Sequence, residues 1–415
     1  MTFSQRNYWA SSAYLFTLFC GYAFVYSMYA IWLSQTVELS GIQIGIIFSA
    51  NSVAAICIQP LLGFVQDKIH TKQYLLWVNA ICLLGTGPFF SLVYQPLIVT
   101  NFYLGTLVGA FYVSLIFLAM AGVVETYLER LSRYSNFEYG KVRLWGSLGW
   151  ATAALFGGIL INLGGETIFW AASAVSIVPI LILSVVKIKI SNKASENTES
   201  GLQISEVVKV LKLRRFYNLA IFVLGVATIY TVYDQQFPVF YASLFDNIKT
   251  GNEMYGYLNS LQIFLEAAGF LVAPFVVNRI GVKTGLIVAG AIMFIRIFAS
   301  ASLDDYIALS LVKLLHAAEL PILMVSIFKY INMHFDNRLS STLYLIGFMF
   351  VMQLGAGALA PIFGWLYDIY SFQPVYLLMS GIALLFLAVS FFLLEKDIVK
   401  AKTQIWQASD TVKEH

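Results

Sequence analysis

The sequence predicts an all-α integral membrane protein of twelve transmembrane helices in two pseudo-symmetric halves of six. Three observations carry that expectation. Charged residues make up 11% of the chain and hydrophobic ones 59%, where a soluble domain carries about 25% charged residues. Several windows without any charge are long enough for a span, which needs about 20 largely apolar residues. The basic residues fall almost wholly on one side of the layout that these windows define.

The first apolar run starts near Tyr8, after a single basic residue, Arg6. It is too long for the apolar part of a signal peptide and has no small-residue cleavage site at its end, so it is expected to stay as a span over 9–33. A second span is expected over 43–66. Gln73–Val124 is an uncharged stretch of 52 residues, enough for spans 74–94 and 98–126 with a turn at Gln95-Pro96. The uncharged windows Leu144–Gly165 and Thr167–Val186 hold spans 144–163 and 167–187. Spans 217–241, 255–277, 284–301 and 305–328 follow a polar interval, and the windows Leu339–Tyr367 and Val375–Leu394 hold spans 340–366 and 373–394.

The polar interval, 188–216, is charged and rich in Ser and Asn at its centre. It reads as a linker between an N-terminal half, 1–187, and a C-terminal half, 217–395, with a short amphipathic helix near 203–213 and a tail over 396–415. Of the 25 Lys and Arg, 22 lie in the tails, in the loops on the side of the termini, or at span ends there. Lys249 alone lies in a loop on the other side, while Arg296 and Lys313 lie inside spans. Basic loops stay in the cytoplasm, so both termini are expected there, as in a multi-pass protein of a bacterial inner membrane.

Composition also narrows the function. Aromatics at 16% suit lipid contact and headgroup belts. The net charge of +3 gives no reason to expect a nucleic-acid partner. Cys20, Cys57 and Cys82 lie in apolar runs in no metal or redox spacing, and the four His fit no metal motif. No catalytic arrangement is visible, so an enzyme is not expected, and no phosphate-binding glycine loop precedes a lysine, which argues against a pump driven by ATP.

The two halves share a faint repeat. GFVQDKIHTK, from Gly63 to Lys72, follows the second span, and VVNRIGVK, from Val276 to Lys283, follows the eighth. Aligning Asp67-Lys68-Ile69 with Asn278-Arg279-Ile280 sets an offset of 211 residues, about half the chain. Repeated halves are a transporter architecture, with the site near the midplane between them. The first copy resembles the loop signature of the major facilitator superfamily. Gly63, Asp67, Lys68 and Arg279 are therefore candidates for gating loops that latch one conformation by pairing charges across helix ends. An ordinary solvated loop is the alternative.

Ionisable groups at membrane depth are costly and usually face a cavity or a partner. Glu125 and Arg143 lie near span ends, while Asp234, Glu266, Arg296, Lys313, His316 and Glu319 lie deeper. Lys313, His316 and Glu319 are spaced three apart, along one flank of a helix. An apolar site favours the neutral form of a carboxyl, and a nearby Arg favours the charged form. Glu319 beside Arg296 is thus a candidate proton switch, and His316, which donates and accepts, could link it to a ligand hydroxyl. Lys313 with Asp234 reads as a pair that holds helices together. Glu125 can accept hydroxyls, Arg143 offers a planar fork of donors, and Trp150, two turns on, offers a flat apolar face. An ion pair at a helix end with an interfacial Trp explains that trio equally well.

At these residues the chain resembles the oligosaccharide:proton symporters of the major facilitator superfamily. The likeness runs over nearly the whole chain and is densest in VVETYLERLSRYSNFEYGKVRLWGSLGW (123–150), DQQFPVFYASLF (234–245) and VKLLHAAELPILMVSIFKY (312–330). It implies that Glu125, Arg143 and Trp150 hold the sugar, with His316, Gln262 and Glu266 contributing. It implies that Arg296, His316 and Glu319 couple the proton, and that Asp234 and Lys313 pair between helices seven and ten. Lactose-type members carry a further Asp in helix seven and a Lys in helix eleven, where this chain has Thr231 and Met352. They carry Glu then Asn in helix eight, where this chain has Ile263 and Glu266 beside Gln262, and an Asn in helix four, where it has Leu118. YLNSLQIFLEA, LYLIGF and SMYAIWL are similar to the sucrose permease pattern.

The expected function is import of a disaccharide, sucrose foremost, with a proton by alternating access. The proton is the coupling ion, no other cofactor or metal is implied, and a monomer is expected. Raffinose, melibiose, maltose or lactose are alternative substrates for the same mechanism. A drug–proton antiporter is the alternative of another class.

Overall fold

The structure, a computed structural model, describes residues 3–69, 73–186, 211–335 and 343–397. Among the described residues eleven helices are long and apolar enough to cross a membrane, and a pair bent by 45° where it meets at Gly85 makes a twelfth when taken as one span. In chain order the spans are α1 (Ser4–Gln35), α2 (Gly41–Ile69), α3 (Tyr74–Leu84 and Thr86–Thr100), α4 (Phe102–Ser135), α5 (Tyr139–Leu163), α6 (Thr167–Val185), α7 (Arg214–Ser243), α8 (Ile248–Ile280), α9 (Val282–Ser302), α10 (Tyr306–His334), α11 (Ile346–Tyr370) and α12 (Phe372–Leu393). Without water in the hydrocarbon, each segment must satisfy its own backbone groups, which is why these apolar stretches are helical. Both ends of the described chain lie on one side of the bundle, the terminal side. The linker over 188–216, with its expected helix near 203–213, falls largely outside the described residues, as does most of the tail over 396–415.

One expected turn is misplaced. The chain does not reverse at Gln95-Pro96. Helix continues through Pro96 to Thr100, and the break comes at Asn101, whose side chain accepts from the Leu104 amide at 3.2 Å. Pro96 follows a π-helical stretch, Phe89–Tyr94, where the hydrogen-bond register shifts and a residue without N–H is accommodated. The cap, rather than the proline, therefore starts the next span.

The two halves meet along two helix pairs, α2 with α11 and α5 with α8. Exchanging the halves converts one pair into the other, as the sequence repeat requires. Both contacts depend on glycine: a Cβ at Gly45 would lie 2.3 Å from Ala360 O, and one at Gly256 2.9 Å from Ala154 O. The 211-residue offset that aligns the loops also carries Gly45 onto Gly256.

Hydrogen bonds between the halves seal the side away from the termini. Gln35 and Asn252 exchange amide hydrogen bonds at 3.0 and 2.8 Å, and Asn252 Nδ2 also reaches Asn162 Oδ1 at 3.0 Å. Asn162 Nδ2 donates in turn to Lys249 O at 2.7 Å and Glu253 Oε1 at 3.1 Å. Across the other pair, the Asp368 carboxylate accepts from the Gly41 and Ile42 amides at 2.6 and 2.8 Å. Among the described residues, the inter-half hydrogen bond nearest the termini is Ser52 to Gln353, in the wall of a central cavity. The bundle is thus closed on the far side.

Candidate functional site

The central cavity encloses about 610 Å³ between the halves. Its first-half wall is built on α5, where Arg143, Ser147 and Trp150 fall on one face because they are four and then three residues apart. Arg143 Nε lies 2.6 Å from Glu125 Oε1, so α4 and α5 are joined by an ion pair that is about one-third exposed. Arg143 also donates to Ser147 Oγ at 3.3 Å and sits 4.6 Å over the Phe19 ring. Phe19 in turn lies 6.3 Å from the Trp150 ring, and both aromatics line the cavity. Arg143 and Trp150 therefore line the cavity, while Glu125 pairs with Arg143 and is not among the lining residues.

The opposite wall carries Gln262 and Glu266 of α8, Asp234 of α7 and His316 of α10. Behind it is a sealed cluster. Arg296 and Glu319 have fully buried side chains, and Arg296 Nη1 donates to both carboxylate oxygens at 2.9 and 3.0 Å. Lys313 Nζ donates to Asp234 Oδ1 at 2.7 Å, and Arg296 Nη2 stands 4.0 Å from the same oxygen. Arg296, Lys313 and Glu319 are thus sealed from the cavity, while Asp234, 35% exposed in its wall, supplies the second carboxylate that the two buried cations need.

His316 joins the two regions. Its Nδ1 lies 2.9 Å from Glu319 Oε1, while its Nε2 faces Glu266 Oε2 at 3.7 Å in the cavity. Arg296, Lys313 and Glu319 do not line the cavity. The helix does not run straight through the Lys313–His316–Glu319 spacing. At Leu315 it tightens, with Leu315 N bonding to Val312 O at 3.2 Å and Ala318 N to Leu315 O at 3.0 Å.

Sequence reading missed Tyr230. Its hydroxyl accepts from Arg296 Nη1 at 2.5 Å and lies 2.6 Å from His316 Nδ1, closing a ring of side chains around Glu319. The available signal was its spacing, one helical turn before Asp234. Asn259, on α8 before Gln262, also lines the cavity and was likewise passed over. Thr231, Met352, Leu118 and Ile263 line it too, and the Thr231 hydroxyl is taken up by Ala227 O at 2.9 Å.

The candidate gating positions lie away from this site. Gly63 is near the terminal end of α2, where a Cβ would meet nothing within 4 Å. The side chains of Asp67 and Lys68 lie outside the described residues. Arg279 is exposed in the last turn of α8, before Gly281 at φ 91°. The Asp397 carboxylate accepts from the next two amides, Val282 and Lys283, at 2.7 and 2.9 Å. Among the described residues no cluster of His, Cys, Asp and Glu could hold a metal ion.

A family model described as "LacY proton/sugar symporter" matches residues 1–405. The chain is 38% identical to the sucrose permease of Escherichia coli over 395 residues, covering 95% of each. It is 37% identical to the raffinose permease of the same organism over 401 residues, covering 95% of this chain and 94% of that one. It is 38% identical to the melibiose permease of Enterobacter cloacae over 393 residues, covering 94% and 92%. Among solved structures, the nucleoside transporter NupG superposes with a TM-score of 0.78 at 16% identity, covering 96% of this chain and 100% of that one, a likeness of fold.

Proposed function

The chain belongs to the LacY proton/sugar symporter family, and from that premise we propose that it carries sucrose into a bacterial cell, coupled to proton entry, by alternating access. The observation that carries the mechanism is the double engagement of His316, Nδ1 toward Glu319 and Nε2 toward Glu266 and the cavity. Sugar enters between Arg143 and Trp150 on one wall and Gln262, Glu266 and His316 on the other. Glu125 fixes the Arg143 fork, and Trp150 covers an apolar sugar face. A hydroxyl on His316 Nε2 disturbs the hydrogen bond that Nδ1 makes with Glu319, so sugar and proton occupancy are linked through one ring.

Glu319 carries the proton. When neutral it can still accept from Arg296 but no longer offsets its charge. When the proton leaves, Arg296 takes both carboxylate oxygens, which is the arrangement seen. Asp234 and Lys313 stay paired throughout and hold α7 to α10. Basic loops on the terminal side orient that side to the cytoplasm, so the hydrogen-bonded far side faces out of the cell. The halves, 1–187 and 217–395, rock as units about the linker 188–216, with Gly63, Asp67, Lys68 and Arg279 at the gating loops. The protein works as a monomer in the inner membrane.

Sucrose is favoured by the cavity's uncharged Thr231 and Met352 and by Gln262 beside Glu266. Relatives named for raffinose and melibiose support a second reading, the same mechanism with another oligosaccharide. The test is sugar-induced alkalinisation of a lightly buffered suspension of cells making the protein. Sucrose should raise external pH. If raffinose or melibiose does so and sucrose does not, the substrate is reassigned. Acidification would point to antiport and sink the mechanism.

A further inference from the structure

One polar group in the wall of the central cavity has no part in the mechanism just described, the carboxamide of Asn259 on α8. The residue is 8% exposed. Among the described residues nothing hydrogen-bonds its side chain. Gln262 Oε1, one turn on, is sealed without a partner, whereas neither amide atom of Asn259 is sealed. What surface Asn259 keeps therefore lies in the cavity, and its amide is offered there. An unpartnered amide in so confined a place is costly unless a ligand meets it.

The register of the α5–α8 contact fixes its level. A Cβ at Gly158 would collide with Asn252 O, and one at Gly256 would lie 2.9 Å from Ala154 O. Position 158 thus lies against 252 and position 154 against 256, so the helices run past each other in opposite senses. Four residues further the same register sets Trp150 against Ser260, the neighbour of Asn259. About two turns beyond, it sets Arg143 against Ala267, the neighbour of Glu266. Trp150, Asn259, Arg143 and Glu266 all line the cavity.

Trp150 offers a sugar ring a flat apolar face, which senses mainly the C–H surface of the ring and little of where each hydroxyl points. Asn259, at the same level, meets the edge of that ring. A carboxamide there donates from Nδ2 to one hydroxyl and accepts at Oδ1 from the next. An epimer that turns either hydroxyl away leaves one of these groups unpaired. A site built on hydrogen bonds rejects such an analogue more strongly than an apolar surface does. We propose that Asn259 reads the hydroxyl configuration of the hexose unit that Trp150 covers, and so sets which epimer the transporter accepts. The inference rests on a sugar as the cargo but not on which sugar.

The test measures binding of p-nitrophenyl α-D-glucopyranoside and its 2-, 3- and 4-epimers to the purified full-length protein in detergent, by calorimetry. The unaltered protein should prefer one of the four. Asn259→Leu, close in size, should cut the preference for that epimer over at least one other about tenfold, the size of one hydrogen bond left unmade in a buried site. Trp150→Leu should instead weaken all four by a similar factor. Asn259→Asp keeps the shape and the acceptor but not the donor. It should lose part of the preference, and it carries the test if the Leu variant does not fold. Uniformly weaker binding by the Asn259 variants, with the preference intact, would make Asn259 a structural residue and overturn the proposal. Unchanged binding by both variants, or equal binding of the four epimers by the unaltered protein, would overturn it as well. Binding of none of the four by the unaltered protein would bring down the sugar assignment itself, and this inference with it.

Discussion

Tyr230 and His316 lie on different helices, 86 residues apart in sequence, and their side chains meet at 2.6 Å, Oη to Nδ1. The same hydroxyl accepts from Arg296. One phenol thus joins the residue that faces the cavity to the guanidinium that holds Glu319.

Tyr230→Phe keeps the ring and removes that junction. A hydrogen bond to a charged group contributes about 1.5–3 kcal/mol, so sugar accumulation against a gradient should fall at least about tenfold. Sugar exchange at equal concentrations needs no net proton movement and should stay within about twofold. Equal loss in both assays would make Tyr230 a structural residue rather than a coupling one.

Glu319→Gln leaves an amide that cannot release a proton. Accumulation should vanish while exchange persists. Active concentration of sugar by this variant would remove Glu319 from the coupling role.

Asp234→Asn strands Lys313, which is 1% exposed, in a low-dielectric site. Breaking a buried pair from one side costs about 3–5 kcal/mol, and thermal unfolding in detergent should show a large drop in midpoint. Adding Lys313→Met removes the stranded charge and should recover most of it. A double variant as unstable as the single one would show that the pair does more than neutralise charge.

Asn252→Ala removes three hydrogen bonds from the far-side closure. At about 1 kcal/mol each, the outward-open population should rise at least about tenfold. Labelling of a Ser52→Cys variant in intact cells by an impermeant maleimide reports it, in a background lacking Cys20, Cys57 and Cys82. No change in labelling rate would show that the glycine-lined helix contacts close that side unaided.

Trp150→Leu removes the flat face but leaves Arg143 paired with Glu125. Sugar affinity should weaken about tenfold, the order of an aromatic contact beyond plain burial, with coupling intact in whatever sugar is carried. A coupling defect without an affinity change would move Trp150 out of the sugar site.

The sequence by itself determined the spans, the basic bias between the two sides, the internal repeat and the identity of the buried charges. All follow from local composition, because lipid tolerates little but apolar helix and makes each exception visible. The misplaced turn is the instructive local failure. A proline is read as a break, yet at Pro96 the preceding π-helical register absorbs it and the capping residue Asn101 decides. Tertiary structure alone decided which charges face the cavity and which are sealed behind it. Glu319 and His316 are three residues apart, yet the first is fully buried and the second reaches the cavity. It also decided the partners, since Tyr230 meets His316 and Gln35 meets Asn252 across 217 residues of sequence. Those meetings depend on how helices far apart in the chain pack side by side, which the periodicity of any one helix does not record.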